Sequence, residues 1–299
     1  MATIEEVVTH LNASRYVTMA GLTMLLYDHC LTFADEVEYI WKAGWKIPKI
    51  LFLFLRYVVP TSLMISTFQM SGLTGIISDK YCQVWLGLSV SIGLICIYMA
   101  NFLVLLHLWN ICERKKLLVF GSLGVYVAAF TANVICLALA VSHLPYNTTY
   151  STVFRICIMQ DKKLLPMLWA PGLALDVVAL PTVIYNALER PRDVRTEFRS
   201  QIFRDGVLFF AILFTLRLTN VLLAIYAPIS LLYLGVYFIW ASTTMTVTRM
   251  LLRLRRLQVE NALRQYELEI QMQDELSYGS NSSENGSSRT SHQKQASFS

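Results

Sequence analysis

Apolar residues dominate seven stretches of the chain, each close to the length of a membrane-spanning helix. An α-helix rises about 1.5 Å per residue, so about 20 mostly apolar residues cross the hydrocarbon layer of a bilayer. The segments that meet this requirement are 16–33, 50–70, 83–108, 117–141, 166–187, 206–227 and 230–251. The last two are separated only by a short stretch around Pro228, which breaks helices. The pattern predicts an all-α integral membrane protein with a bundle of seven transmembrane helices.

The Lys and Arg residues between these segments favour one orientation in the membrane. They concentrate in the connections after the first, third and fifth segments and after the seventh, for example at Lys42, Arg114, Arg192 and Arg253. Basic residues accumulate on the cytoplasmic side of a membrane. We therefore predict that residues 1–15 form a short extracytoplasmic N-terminus and that the C-terminus lies in the cytoplasm.

The chain beyond the seventh segment changes character twice. Residues 252–276 repeat apolar positions at helical spacing and begin with several arginines, which predicts a cytoplasmic amphipathic helix at the membrane surface. Residues 277–299 are rich in Ser and almost free of apolar side chains. Such a segment cannot bury enough apolar surface to fold, so we predict a disordered tail.

Composition supports the membrane class. Only 15% of the residues are charged, against about 25% in soluble domains, and the mean hydropathy is +0.49. The net charge of +5 does not indicate nucleic-acid binding, because the basic residues lie between apolar segments and form no patch. Membrane lipids are the expected partners. Whether the membrane is the plasma membrane or an endomembrane, and which oligomeric state the protein adopts, stay open.

The connection between the first two segments is acidic and aromatic. Val37, Ile40 and Trp41 share one helical face, whereas Glu36 and Glu38 take other faces. We expect one or two amphipathic turns in the headgroup layer. Three lysines of this region would meet anionic lipid heads, namely Lys42, Lys46 and Lys49.

Two charged residues flank this connection from inside the apolar segments. Asp28 and Arg56 each lie about 10 Å inside their helices, on the same side of the membrane. An ionisable group in hydrocarbon is costly alone, so we expect the two to pair. The alternative is that each side chain snorkels to the nearby interface. A pair at this place favours a structural staple over a chemical role.

A set of residues from Tyr27 to Tyr57 carries a family resemblance. The set consists of Tyr27-Asp28, Leu31-Thr32, Glu36-Val37, Ile40-Trp41, Lys49, Leu51-Phe52 and Arg56-Tyr57. It resembles the N-terminal signature of an uncharacterised fungal, basidiomycete-type family of multi-spanning membrane proteins, named only as a domain of unknown function. The resemblance covers about residues 16–60. It implies the multi-spanning architecture and a fungal source, and it implies no catalytic or ligand-binding residue.

Two further charges lie near the middle of their segments. Asp176 in the fifth and Arg217 in the sixth both reach mid-membrane, because the two helices run in opposite directions. A charge costs at least ~2.5–3.5 kcal/mol there, so both should face the bundle interior and each other. Asn220, one turn from Arg217, and Asn101 in the third segment are expected to join them. This group is either an intramembrane polar site or a buried structural ion pair.

The predicted topology places three residues of interest outside. Cys82 lies at the outer end of the third segment, and Cys157 lies in the connection after the fourth. A disulfide between them can persist in an oxidising compartment. The arrangement is similar to the bridge of G-protein-coupled receptors between the third helix and the second outer loop; two unpaired thiols are the alternative. Asn147, followed by Thr148 and Thr149, is a candidate glycosylation site.

Recognisable enzyme chemistry is missing from the sequence. The five histidines form no metal-binding cluster, and no P-loop, GxGxxG or GxSxG motif occurs. We therefore predict no metal and no cofactor, and we favour a non-enzymatic protein.

Three functional interpretations stay open. A receptor-like seven-helix sensor would use the polar site for a ligand and the basic inner connections for a cytoplasmic signalling partner. A transporter or channel would place Asp176 and Arg217 on a pathway, although no internal repeat is visible. A membrane scaffold would act through its connections and tail. The sensor is our working hypothesis.

Overall fold

A computed structural model describes residues 4–73, 75, 77–111, 116–159, 165–189, 197–228 and 231–295. In chain order the helices are α1 (Ile4–Glu36), which passes into one π-helical turn (Val37–Trp41), then α2 (Ile47–Met70), α3 (Asp79–Ile111), α4 (Lys116–Asn147), α5 (Leu165–Glu189), α6 (Glu197–Tyr226) and α7 (Leu232–Gln295). Strands β1 (Thr148–Ser151) and β2 (Ile156–Met159) lie between α4 and α5. The chain divides into two compact units, Met1–Leu252 and Arg253–Ser299.

Several helices have the length and composition of membrane spans. Within the described residues four meet both requirements, over Glu5–Trp41, Ile47–Met70, Asp79–Leu103 and Val119–Tyr146. Shorter apolar stretches occupy Pro166–Val178 in α5 and Ala211–Tyr226 in α6. Large apolar side chains such as Phe120 and Ile135 are exposed on α4, as expected of a helix that contacts lipid. The fold is that of a multi-pass membrane protein.

Two helices extend further than the sequence pattern predicts. Helix α1 begins at Ile4, so most of the predicted N-terminal extension of residues 1–15 is helical. Helix α7 continues through Gln295, beyond residue 276, where we expected the helix to give way to a disordered tail. Extending an existing helix adds a hydrogen bond for each residue fixed, whereas starting a helix is costly. The basic connections at 112–115 and 190–196, on which the predicted orientation partly depends, lie outside the described residues.

A short β-hairpin, which the sequence pattern does not predict, follows α4 in the otherwise helical fold. Strands β1 and β2 are antiparallel, with Thr148 opposite Met159 and Ser151 opposite Ile156. Both strands are rich in β-branched or aromatic residues, which favour strands. A strand of four residues is too short to stand out in a hydropathy pattern whose apolar segments are about 20 residues long. The turn between the strands places Arg155 at a φ of 52°.

The hairpin is attached to the start of α3. A disulfide joins Cys157 of β2 to Cys82 of α3, with the two Cα atoms 5.5 Å apart. The backbone N–H of Tyr150 donates a hydrogen bond of 2.7 Å to Oδ1 of Asp79. We call the end of the bundle that carries β1 and β2 the hairpin end.

Arg15 ties α1 to the same end. Its Nε donates to the carbonyl oxygen of Met70 at 2.7 Å, near the end of α2. Its Nη2 donates to the carbonyl oxygen of Phe154 at 3.0 Å, in the hairpin turn. Gly72, at a φ of 76°, leaves room for this guanidinium, because a Cβ there would lie 2.9 Å from Nη2.

The first third of α7 lies in the interior of the unit Met1–Leu252. Most side chains between Tyr237 and Leu252 are buried. Helix α1 approaches it closely at Gly21, where a Cβ would lie 3.2 Å from Cα of Phe238. This part of α7 is rich in Ser and Thr, and hydroxyls such as those of Thr246 and Thr248 bond to carbonyl oxygens one turn earlier in the helix. These intrahelical bonds make a polar run compatible with a buried helix.

Candidate functional site

A cavity of about 100 Å³ lies between α3, α5, α6 and α7. Aliphatic and aromatic side chains form most of its wall. Met159 of β2 and Asn133 of α4 also line it. Mostly apolar cavities with a few polar groups are the usual form of small-molecule sites.

Arg217 of α6 is the charged residue of the cavity wall, and it is 7% exposed. Its Nη1 donates to both carboxylate oxygens of Asp176, each at 2.9 Å. Its Nη2 donates to Oδ1 of Asn101 on α3. Nε of the same guanidinium has no hydrogen-bond partner among the described residues. One donor of a buried arginine is therefore unused beside the cavity.

Four more polar atoms of lining residues share this property. Within the described part of the chain, no partner is present for the indole Nε1 of Trp169, the indole Nε1 of Trp240, Oγ of Ser89 or Oδ1 of Asn133. Leaving a buried donor or acceptor unpaired costs about 1–3 kcal/mol. Together with Nε of Arg217, five such atoms belong to residues that line this one cavity.

The structure brings the four residues of the predicted midplane site to one place. Arg217 contacts Asp176 and Asn101, and Asn220 lines the same cavity one turn further along α6. Neither Asp176 nor Asn101 is part of the cavity wall. Asp176 and Asn101 bind the guanidinium from outside the cavity wall, whereas Arg217 and Asn220 line the cavity.

Sequence reasoning missed the other polar residues of the wall. Trp169, Trp240, Ser89 and Asn133 each stand alone in an apolar segment, where such residues usually serve packing. Only their meeting at one cavity, across four helices, distinguishes them. A single sequence carries no signal for that meeting.

A second polar group lies at the end of the bundle opposite the hairpin. We call it the N-terminal polar network, and it consists of Asp28, Thr32, Glu36, Trp41, Arg56, Tyr57 and Arg249. Arg56 is its centre. Nε donates to Oε2 of Glu36 at 2.9 Å, and Nη1 forms an ion pair with Oδ2 of Asp28 at 3.5 Å. Nη2 donates to Oγ1 of Thr32 at 2.6 Å.

The predicted pair of Asp28 and Arg56 is thus part of a larger arrangement. Both side chains are 1% exposed and face each other, so neither snorkels to the interface. Arg249 of α7 also binds Asp28, through its Nε and Oδ1 of the carboxylate. Two carboxylates and two guanidiniums balance the charge, which is the condition for a stable buried ionic group. The network joins α1, α2 and α7.

Glu36 corrects the predicted amphipathic connection. We expected it on the polar surface of a helix in the headgroup layer, but it is buried, and its Oε1 accepts bonds from Nε1 of Trp41 at 3.0 Å and from the Tyr57 hydroxyl at 2.8 Å. The π turn accounts for the difference. A π turn brings residues five apart together, so Trp41 reaches back to Glu36. Glu38 is exposed.

Lys49 also differs from its predicted role. We expected it to meet anionic lipid heads, but it is buried. Nζ donates to the carbonyl oxygens of Trp41 at 2.9 Å and Ala43 at 2.7 Å, and it lies 4.7 Å from the ring centre of Trp45. Lys49 therefore fixes the end of the connection to the start of α2.

Asn147, the candidate glycosylation site, is the last residue of α4. It precedes β1 directly, so it lies at the hairpin end with the disulfide. Among the residues that the structure describes, no group of three or more His, Cys, Asp or Glu is arranged to hold a metal ion.

The helices and their buried charges define a multi-pass helical membrane protein. Residues 16–61 match the model of a family described as a family of unknown function, DUF6533. The matched span begins in α1 and ends in α2, so it contains every residue of the N-terminal polar network except Arg249. No curated protein and no solved structure matches the chain.

Proposed function

We propose that this protein is a seven-helix membrane sensor that binds a small ligand in the cavity between α3, α5, α6 and α7. The observation that carries the proposal is the group of buried polar atoms without partners around that cavity. Five of these atoms belong to residues around one cavity, which supports the proposal that a ligand supplies their partners. In this proposal the N-terminal polar network is structural, because its carboxylates and guanidiniums bind one another.

The proposed topology has seven spans, with the hairpin end outside and the residues after Leu252 in the cytoplasm. The disulfide and the sequon of Asn147 lie together at the hairpin end. Both belong to an oxidising, glycosylating compartment. Arg253, Arg255 and Arg256 follow the last proposed span, as expected on the cytoplasmic side. The resemblance over residues 16–60 supports a fungal source.

Both ends of the bundle favour a sensor over a transporter. At the hairpin end the disulfide fixes β2 to α3, and the Tyr233 hydroxyl of α7 donates to the carbonyl oxygen of Cys157 at 3.4 Å. At the other end, ion pairs to the buried carboxylate of Asp28 join α1, α2 and α7. Alternating access requires each end to open in turn. Opening this bundle would break covalent or buried ionic contacts at both ends.

A transporter or channel is the second candidate, and the midplane pair of Arg217 and Asp176 favours it. Charged pairs at mid-membrane occur on ion and proton pathways. Purified protein in liposomes tests this candidate. Proton or cation flux that is lost in Asp176→Asn, while the protein stays folded, would support transport and overturn the sensor proposal.

Proximity labelling from the C-terminus in the cell of origin tests the sensor proposal directly. We expect a labelling enzyme fused after Ser299 to mark cytoplasmic signalling proteins, such as heterotrimeric G-protein subunits or their regulators. A fusion before Met1 is the control and should mark none of them. Labelling of only lipid-handling or cell-wall machinery by the C-terminal fusion would overturn the sensor role and favour a scaffold.

A further inference from the structure

We infer that the cavity binds a small, uncharged alcohol with an apolar body of a few carbon atoms. The inference rests on the proposed function for the binding role of the cavity, and it adds the chemical class of the ligand. Charge, hydrogen-bonding capacity and size together lead to this class.

The charge balance of the wall excludes an ionic ligand. Arg217 is the charged residue among the described lining residues, and both carboxylate oxygens of Asp176 neutralise it. A carboxylate or an ammonium in the cavity would therefore add an uncompensated charge inside the bundle. Such a charge costs several kcal/mol. The ligand is neutral.

The unpaired atoms require a group that both accepts and donates hydrogen bonds. Nε of Arg217 and the indole N–H groups of Trp169 and Trp240 are donors, so the ligand must accept. Oδ1 of Asn133 is an acceptor, so the ligand must also donate. A hydroxyl does both, since it donates one hydrogen bond and accepts up to two. A ketone or an ester accepts only and would leave Asn133 unpaired.

The orientation of the Asn133 amide is fixed by its neighbour. The Tyr98 hydroxyl donates its single proton to the carbonyl oxygen of Ala129 at 2.9 Å. It can therefore only accept from Asn133, at 2.7 Å, and the amide nitrogen must be the atom that points to it. Oδ1 is consequently the free atom of Asn133, and the cavity presents an acceptor at that position.

Size limits the apolar body. A dry cavity of about 150 Å³ holds one benzene, a molecule of six heavy atoms. The cavity here is about 100 Å³. About six heavy atoms, as in the short-chain alcohol 1-pentanol, are therefore the upper limit for the ligand.

Two glycines of the wall allow the cavity to be filled without disturbing the fold. A Cβ at Gly93 would lie 4.0 Å from the Trp240 ring, an ordinary contact, and a Cβ at Gly172 would meet no atom within 4 Å. Both positions are helical, so alanine also favours the helix. Gly124 of α4 is the matched control, because a Cβ there meets nothing within 4 Å and the residue does not line the cavity.

The test is a titration of the full chain in lipid nanodiscs, followed by tryptophan fluorescence, with probes of six heavy atoms. We expect a saturable change with 1-pentanol and none with hexane or butanoate. The double variant Gly93→Ala/Gly172→Ala should weaken 1-pentanol binding at least tenfold, and Gly124→Ala should leave it unchanged. A change that rises linearly without saturation, or that survives in the double variant, reports partition into lipid and overturns the inference.

The remaining outcomes separate the ligand class from the sensor role. Saturable binding of butanoate, or equal binding of hexane and 1-pentanol, would overturn the alcohol class and leave the sensor proposal standing. A high-resolution density map with only ordered waters in the cavity in the presence of saturating 1-pentanol would also overturn the class. Binding of 1-pentanol together with C-terminal labelling that finds no signalling protein would support the class and overturn the sensor.

Discussion

Glu36 and Arg56 are joined by a hydrogen bond of 2.9 Å between Oε2 and Nε, and each side chain is 1% exposed. Glu36 ends α1, whereas Arg56 lies in the middle of α2. The bond therefore draws the connection between the two helices onto the bundle. It gives the residues that match the family model a common structural role.

Replacing Glu36 by Gln should destabilise the protein strongly. The change leaves the N-terminal polar network with one excess positive charge in a buried position, and breaking a buried pair costs about 3–5 kcal/mol. Thermal unfolding of the purified protein in detergent measures the loss. Glu38→Gln, two residues further and exposed, is the control and should change stability by less than about 0.5 kcal/mol. Equal effects of the two variants would contradict the structural role of Glu36.

Arg249 should contribute less to stability than Arg56. Its side chain is 48% exposed, and Asp28 keeps Arg56 as a partner when Arg249 is removed. We expect Arg249→Gln to cost about 1 kcal/mol and Arg56→Gln several times more. A double-mutant cycle with Asp28→Asn measures the coupling of each arginine to Asp28. A larger coupling for Arg249 than for Arg56 would place the centre of the network on α7.

The disulfide should stabilise the hairpin end. Cys82 and Cys157 are 75 residues apart, and closing a loop of that length stabilises a protein by about 2–4 kcal/mol. Cys82→Ser and Cys157→Ser should each lower the unfolding temperature, and the double variant should lower it no further. Cys30→Ser, which removes an exposed free thiol, should have no effect. Additive losses from the two single variants would show that the cysteines act separately.

Exchange of the midplane charges separates folding from ligand binding. Asp176→Asn leaves Arg217 buried without a counter-charge, so expression should fall, and the double variant Asp176→Arg/Arg217→Asp should recover part of it. The double variant should not respond to 1-pentanol, because the unpaired Nε of Arg217 is lost from α6. Recovery of both expression and the 1-pentanol response would show that Asp176 and Arg217 serve only as a structural ion pair.

Asn147→Gln tests the proposed topology. If the hairpin end lies outside, the wild-type protein carries a glycan that an endoglycosidase removes, and the variant runs at the deglycosylated position on a gel. Asn281→Gln and Asn285→Gln remove two sequons that lie beyond Leu252, on the proposed cytoplasmic side. They should leave the position of the protein on the gel unchanged. A glycan on the latter two residues would reverse the proposed orientation.

The sequence predicts the helices well because membrane spans require long apolar segments: the first five segments fall within α1 to α5, and the sixth and seventh overlap α6 and α7. It also indicates that Arg217 meets Asp176, since two charges predicted to lie at mid-membrane have few other ways to be neutralised. These predictions depend on the cost of polar groups in hydrocarbon. That cost is visible in a single chain.

The parts that the sequence does not predict depend on local backbone form or on distant contacts. The π turn after α1 changes the partners of Glu36, and an α-helical reading of the same residues puts this side chain on the surface. The contact of Arg249 with Asp28 joins residues 221 positions apart. The cavity also depends on distant contacts, because Asn133 and Trp240 line it together only once α4 and α7 are packed in the fold.

Helix α7 lies between the cavity and the N-terminal polar network, and one continuous stretch of it serves both. Trp240 lines the cavity, and Arg249 binds Asp28 nine residues later. Nine residues span about 14 Å and bring Arg249 to the opposite face of the helix from Trp240. The helix thus contacts the cavity with one face and the N-terminal polar network with the opposite face. We expect a ligand that shifts α7 at Trp240 also to move Arg249 relative to α1, so that occupancy of the cavity would change the Asp28 ion pair.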